Sequence, residues 1–168
     1  ALAYSAGPYP LSHHGLGDIT VVIFFGVIPV TLTFLLQTGE WSESVTLLGT
    51  SLAVGMMAAN VLIVNNYRDM DDDMSVGKKT TVVIFGRKVM GAVYLISGVL
   101  AMILTIPLWK SLPLWTVFLP AIYLMMHISS WRKITKSRGS ALNPLLGKTA
   151  MNLLMFSLML LAVVLIAD

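Results

Sequence analysis

Cysteine is absent from this 168-residue sequence, and charged residues are scarce. Without a thiol, the chain has no disulfide bonds, thiolate metal sites or cysteine-based catalysis. Only 11% of its residues are charged, against about 25% in a typical soluble domain, whereas 57% are hydrophobic. The mean hydropathy is +0.83. This composition predicts an all-α, polytopic membrane protein whose main surroundings are the lipid bilayer, and we expect no nucleic-acid partner.

Acidic residues are few, and half of them are concentrated in one stretch. Four of the eight Asp and Glu residues fall between Asn65 and Lys79. The eleven Lys and Arg residues give a net charge of +3. That excess could reflect an anionic partner, but it is equally expected of cytoplasmic loops that follow the positive-inside rule.

Five apolar runs approach the length of about 20 residues that a helix needs to cross a bilayer. They lie at about 19–36, 45–64, 89–108, 114–128 and 150–167. We therefore predict a single membrane domain, residues 1–168, with five transmembrane helices and an Asp-rich loop at 65–88. Ten of the eleven Lys and Arg residues would lie on the side of that loop, and only Lys110 on the other. This asymmetry predicts that the Asp-rich loop is cytoplasmic.

Proline and small residues shape the first two spans. Pro29 interrupts the first span and predicts a kink there. The second span contains Gly49, Ala53 and Gly55, and small residues let membrane helices approach one another closely.

The acidic stretch follows the second span without a helix breaker, so we predict that it extends that helix out of the bilayer. At about 100° per residue, one helical face then carries two amides and three carboxylates, those of Asn65, Asn66, Asp69, Asp72 and Asp73. Asp71 lies off this face, and Arg68 lies beside it. Because like charges one turn apart repel, we expect a positive group to neutralise the face.

Carboxylate and amide oxygens suit Mg²⁺, which proteins commonly hold through one or two carboxylates together with substrate phosphates. Lys78 and Lys79 follow Gly77, which ends the helix, and can fold back as phosphate donors. This order of residues predicts a metal-bridged diphosphate site. The alternative is a solvated acidic patch at a helix end. For the basic stretch 130–148, a loop that fixes membrane orientation is favoured over a ligand site.

The three histidines give less indication of a functional role than the acidic stretch does. His13 and His14 are adjacent and cannot face one ligand from one helix, so we interpret them as loop residues rather than a metal pair. His127 is expected to be an interfacial side chain near the end of the fourth span.

Asn65–Asp73, followed by Gly77–Thr80 and Gly86, resembles the second aspartate-rich motif of the UbiA superfamily of intramembrane prenyltransferases. The upstream Gly7–Leu11 and Gly15–Asp18 segments are similar to the branch that makes menaquinone. Leu142–Ala150 is also similar to that branch, but less specifically.

The resemblance implies a Mg²⁺-dependent enzyme that transfers a polyprenyl group from polyprenyl diphosphate to an aromatic acceptor. In the menaquinone branch the acceptor is 1,4-dihydroxy-2-naphthoate and the product is demethylmenaquinol. The motif would bind metal through Asp69 and Asp73, with Asp72 as a third metal residue, and Arg68 would belong to the catalytic set together with Asp69 and Asp73. Four residues would lie on the diphosphate side of the site: Asn65, Asn66, Lys78 and Lys79.

One feature departs from the superfamily pattern. Its members have nine spans and a first motif of the type Asn-Asp-x-x-Asp-x-x-x-Asp, and nothing before Asn65 matches that motif. We therefore expect this chain to be the C-terminal half of an enzyme of the bacterial inner membrane, with the N-terminal half as its partner. Two alternatives remain open: another acceptor, such as 4-hydroxybenzoate or homogentisate, and a cation-binding subunit of a membrane transporter.

Overall fold

The computed structural model describes residues 10–42, 44–110 and 112–167, and these residues form helices and turns without a β-strand. Five helices are long and apolar enough to cross a membrane, which confirms the predicted all-α polytopic bundle. They are α1 (Gly17–Thr38), α2 (Val45–Ser75), α3 (Thr81–Leu104), α4 (Phe118–Ile134) and α5 (Asn143–Ala167). The fourth and fifth spans also include the 3₁₀ turns directly before α4 and α5, Leu114–Val117 and Gly139–Leu142. The Gly7–Leu11 motif before Pro10, and Glu43, lie outside the described residues.

Helix α2 is the centre of the bundle, since it contacts α1, α3 and α5. Its 31 residues give a length of about 46 Å at 1.5 Å per residue, well beyond the roughly 30 Å of a hydrocarbon core. One apolar cluster, which includes Ala53, Met57 and Phe156, surrounds its first half. A second, which includes Tyr67 and Tyr94, surrounds the half that ends in the acidic stretch. The length of α2 allows the acidic end to project from the bilayer while its flank stays packed.

The segment predicted as a loop at 65–88 is mostly helical. Helix α2 continues to Ser75, and the chain turns at Gly77, whose φ of 70° favours glycine. Helix α3 then begins at Thr81, where the Thr80 hydroxyl accepts a hydrogen bond from the Val83 N–H. Gly86 interrupts α3 with φ 78° and ψ 161°, so the apolar residues before it form a separate helical turn ahead of the membrane span.

The last two helices also extend beyond the apolar runs from which they were predicted. Helix α4 reaches Ile134 rather than residue 128, and α5 begins at Asn143 rather than residue 150. Hydropathy detects the part of a helix that suits lipid, whereas Arg132, Lys133 and Lys148 are compatible with a helix that continues into the interface.

Pro29 is accommodated by a widened turn. Residues Ile23–Val27 form a π-helical segment directly before the α-helical part of α1 that contains Pro29. A proline lacks the N–H that a helix needs and its ring conflicts with the carbonyl group four residues earlier, here that of Phe25. The wide turn lies at this position.

Helices α1 and α2 approach each other at glycine. A Cβ atom added at Gly55 would lie 2.5 Å from the Val22 carbonyl oxygen, and one added at Gly26 would lie 2.4 Å from the Gly55 Cα. Gly49 makes a similar approach to the Leu104 carbonyl oxygen, at 2.7 Å. The structure thus confirms the predicted role of small residues in α2.

This packing predicts that Gly55→Ala destabilises the bundle by about 1–3 kcal/mol, because the new methyl group forces two backbones apart. Gly147→Ala is the matched control, since no atom lies within 4 Å of a Cβ added there, and it should leave stability unchanged or raise it. Thermal unfolding of the two variants in the same detergent measures the difference. Equal melting temperatures would contradict the close approach.

Candidate functional site

The polar end of α2 divides its acidic residues between two environments. Asn66 and Asp73 are buried, at 5% and 6% exposure, whereas Asp72 is exposed. Asp71 points elsewhere, with its carboxylate 3.5 Å from Arg87 and its side chain 79% exposed. The structure thus shows the predicted separation of Asp71 from Asp69 and Asp73. The predicted face is buried at Asn66 and Asp73 and exposed to solvent at Asp72.

The backbone of Arg68 lies beside the acidic face, but its side chain reaches onto that face. Its guanidinium group donates to Asp69 Oδ1 at 2.6 Å and Oδ2 at 2.8 Å, and to Asn65 Oδ1 at 2.8 Å. Asn65 in turn donates to Asp69 Oδ2 at 3.2 Å. The long Arg side chain can bend back across its own helix, which a projection of Cα positions does not reveal. Arg68 therefore supplies part of the expected neutralising charge.

Arg68 also connects α2 to the start of α5. Its Nη1 donates to Asn143 Oδ1 at 3.3 Å. The sequence analysis did not identify Asn143 as a site residue, and the available signal was only its position in the less specific Leu142–Ala150 segment. This contact places the beginning of α5 at the edge of the site.

Lys78 supplies the second positive charge. Its Nζ lies 3.0 Å from Asp73 Oδ1, and its backbone N–H donates to the Asp73 carbonyl oxygen at 2.8 Å. Lys79 is exposed, and its backbone N–H donates to the His13 carbonyl oxygen at 3.1 Å. The turn after Gly77 therefore folds Lys78 back onto the acidic face and joins the following residue to the segment before α1.

A cavity of about 390 Å³ opens beside this face, between the segment before α1 and the start of α3. Its lining includes His13, Asp18, Asn65, Asn66, Lys78 and Thr81. Asp18 accepts a short hydrogen bond from the Thr81 hydroxyl through Oδ2, and its buried Oδ1 has no partner among the described residues. From the sequence, Asp18 and the His13–His14 loop were candidates for contacting the acceptor's carboxylate, but only by their topology and without a mechanism. A carboxylate at the start of an apolar span is itself a functional signal.

His127 is not interfacial, and that expectation is wrong. Its side chain is 1% exposed, stacks on Tyr94 with ring centroids 4.7 Å apart, and lies 2.9 Å from the Tyr94 carbonyl oxygen. Gly98 makes room for the ring, since an added Cβ would lie 2.2 Å from Nε2. Because α4 continues to Ile134, His127 lies within the packed bundle rather than at its edge.

The donor set suits a divalent metal at one carboxylate in particular. Asp73 Oδ2 is buried and lacks a hydrogen-bond partner among the described residues, so a cation there would satisfy it. Both oxygens of Asp69 are bonded to Arg68, yet a carboxylate has about four lone-pair positions and retains capacity for a metal. Among the described residues, no group of three or more His, Cys, Asp or Glu side chains is close enough to hold a metal alone.

The sequence is similar to known membrane enzymes. The model of the UbiA prenyltransferase family matches residues 1–156. The 1,4-dihydroxy-2-naphthoate octaprenyltransferases of Haemophilus influenzae and Escherichia coli are 38% and 40% identical over 86 residues, which is 51% of this chain and 27% of each relative. The enzyme of that name from Mycobacterium tuberculosis is 29% identical over 163 residues, covering 94% of this chain and 53% of the relative.

The chain thus spans between about a quarter and a half of the length of these curated relatives. No matching solved structure was found.

The partly buried pair formed by Asp73 and Lys78 should contribute more to stability than the pair formed by Asp71 and Arg87, in which Asp71 is 79% exposed. A double-mutant cycle with Asp73→Asn and Lys78→Gln should give a coupling free energy of about 1–3 kcal/mol, because each single variant leaves a desolvated charge unpaired. The same cycle on Asp71 and Arg87 should give about 0–1 kcal/mol. Reversible unfolding in detergent measures both. Coupling between Asp71 and Arg87 as large as that between Asp73 and Lys78 would contradict this ranking.

Proposed function

We propose that this chain, which belongs to the UbiA prenyltransferase family, forms part of an enzyme. The enzyme would transfer a polyprenyl group from polyprenyl diphosphate to an aromatic acceptor. The acceptor that we propose is 1,4-dihydroxy-2-naphthoate, which occurs in the names of the relatives described above, and the product is demethylmenaquinol. The supporting observation within the molecule is the cluster of two carboxylates and two cations at the end of α2.

A divalent metal, in our proposal Mg²⁺, would bind at Asp69 and Asp73, with Asp72 at the exposed edge of the same site. The metal would supply positive charge to the oxygens of the leaving diphosphate. Asp73 is the best-supported ligand, because its buried Oδ2 has no other partner among the described residues. Asn65 and Asn66 would place neutral oxygens and amide donors one turn earlier on α2.

Two residues of the turn after α2 would bind the diphosphate. Lys78 is already within 3.0 Å of Asp73, so a metal on Asp73 would compete with Lys78 for the carboxylate and release its ammonium group toward phosphate oxygens. Lys79 is exposed next to it. Arg68 would act from the other side of the cluster by holding Asp69 in place through two hydrogen bonds. Preorganised cations of this kind stabilise charge that develops on a leaving group.

The five spans and the excess of Lys and Arg on one side support an integral protein of the bacterial inner membrane with this site on the cytoplasmic face. A bilayer setting suits the reaction, because a polyprenyl tail is soluble there and a dry site protects the reacting carbon from water.

Substitution of individual aspartates tests the site in the intact protein, by which we mean this chain together with the proposed N-terminal half of the enzyme. Asp69→Ala and Asp73→Ala should each lower prenyl transfer by on the order of 100-fold or more, because each removes a proposed ligand of the metal that would stabilise the leaving diphosphate. Asp71→Ala is the control, since this exposed side chain faces Arg87, and it should change the rate by only a few fold. Product formation from radiolabelled polyprenyl diphosphate measures the three rates. Equal losses at all three positions would refute the separation of Asp71 from the site.

We also propose that the N-terminal half of the same enzyme supplies a second metal-binding motif. The purified 168-residue polypeptide, given Mg²⁺, polyprenyl diphosphate and 1,4-dihydroxy-2-naphthoate, should therefore form no product above the background rate. Co-expression with the N-terminal half should restore prenyl transfer. Turnover by the 168-residue polypeptide alone would contradict this proposal.

A further inference from the structure

The cavity beside the acidic face contains a carboxylate oxygen with no assigned function. Asp18 lies in the first turn of α1, and the start of α3 covers it from the other side, where Thr81 donates to Oδ2. Its Oδ1 is buried and unpartnered among the described residues. An unsatisfied buried oxygen carries a free-energy cost, and a ligand that donates a hydrogen bond would remove this cost.

Contacts from Thr81 and from the segment before α1 hold the Asp18 carboxyl group and the cavity wall in place. Thr81, which is itself 8% exposed, fixes the orientation of the carboxyl group through the hydrogen bond to Oδ2. The wall formed by the segment before α1 is held by the bond from the Lys79 N–H to the His13 carbonyl oxygen. Gly15, with φ +72°, forms its turn, and a Cβ added there would lie 2.6 Å from the Ile84 side chain. The cavity is therefore bounded by backbone that is fixed on both sides.

The cavity lies next to the residues that we propose to bind the metal and the diphosphate. Asn65 and Lys78 line the cavity and also contact Asp69 and Asp73, respectively. A ligand in the cavity would consequently lie directly beside a diphosphate held at the end of α2. Its volume of about 390 Å³ is within the range of roughly 300–1,000 Å³ that small-molecule sites usually have.

We propose that this cavity binds the aromatic acceptor and that Asp18 Oδ1 accepts a hydrogen bond from a ring hydroxyl group, an inference that rests on the proposed function. For 1,4-dihydroxy-2-naphthoate, the hydroxyl group is the one at position 4, because the one at position 1 is adjacent to the acceptor's carboxylate and would bring two anions together. Thr81 is a positioning residue, since it acts through Asp18.

This assignment makes Asp18 a determinant of acceptor specificity. A buried group that is built to pair with a hydroxyl discriminates strongly against an analogue that lacks it, because the group is then left unpaired. The hydrogen bond to a carboxylate also increases the electron density of the ring, which favours attack on an allylic carbon.

A matched pair of ligands tests the assignment in the intact protein, reconstituted in nanodiscs. The naphthoate fluorescence reports binding of 1,4-dihydroxy-2-naphthoate and of 1-hydroxy-2-naphthoate, which lacks only the hydroxyl group at position 4. Wild-type protein should bind the dihydroxy compound about tenfold more tightly or better. Asp18→Asn, whose amide oxygen accepts only a weaker, uncharged hydrogen bond, should reduce that preference about threefold or more and leave the affinity for 1-hydroxy-2-naphthoate within about twofold. Asp71→Asn should retain the wild-type preference.

Two variants of Thr81 test the assignment independently, in case Asp18→Asn does not fold. Thr81→Ser keeps the hydroxyl that orients Asp18 and should retain the preference, whereas Thr81→Val should weaken it. A preference that is undiminished in Asp18→Asn or in Thr81→Val, or that is absent from the wild-type protein, would overturn the assignment. If prenyl transfer persists while these affinities fail to change, the proposed function stands and only the role of Asp18 is wrong. If no aromatic compound is prenylated, the proposed function itself fails.

Discussion

A carboxylate that is buried at the polar end of α2 is the constraint on which the rest of this structure depends. Asp73 is 6% exposed, and only one of its oxygens is paired with a described residue, Lys78. Keeping a charge in such a place requires a nearby cation and a rigid support. The turn at Gly77 provides the cation, because it brings Lys78 back over the end of α2, and the contacts of α2 with its neighbours provide the support.

The packing of α1 and α3 around α2 determines where the cavity lies relative to Asp73. The glycine contacts between α1 and α2 set how closely the two helices approach, and therefore where Asp18 lies relative to Asn65. The break at Gly86 separates the first turn of α3, which carries Thr81, from the membrane span. Two loops that are distant in sequence are joined by the bond between Lys79 and His13. These features together place a cavity beside the charged cluster.

Much of this arrangement could be predicted from the sequence, because hydropathy and helical periodicity are local properties. They predicted five spans, the extension of α2 and the separation of Asp71 from Asp69. They did not predict that Arg68 bends onto the acidic face, that His127 is buried against Tyr94, or that Asp18 meets Thr81. Each of these depends on side-chain direction or on contacts between helices far apart in sequence, for which a single sequence contains no periodic signal.

We propose that the end of α2 binds a diphosphate through a metal rather than a cation alone. Calorimetric titration of the intact protein with Mg²⁺, in the absence and presence of a non-hydrolysable polyprenyl diphosphate analogue, tests it most directly. We predict that each ligand strengthens the binding of the other, as reciprocal linkage requires, and that Asp73→Asn removes this coupling. Mg²⁺ binding that is equally strong with and without the analogue would contradict the claim and would favour a cation-transport site.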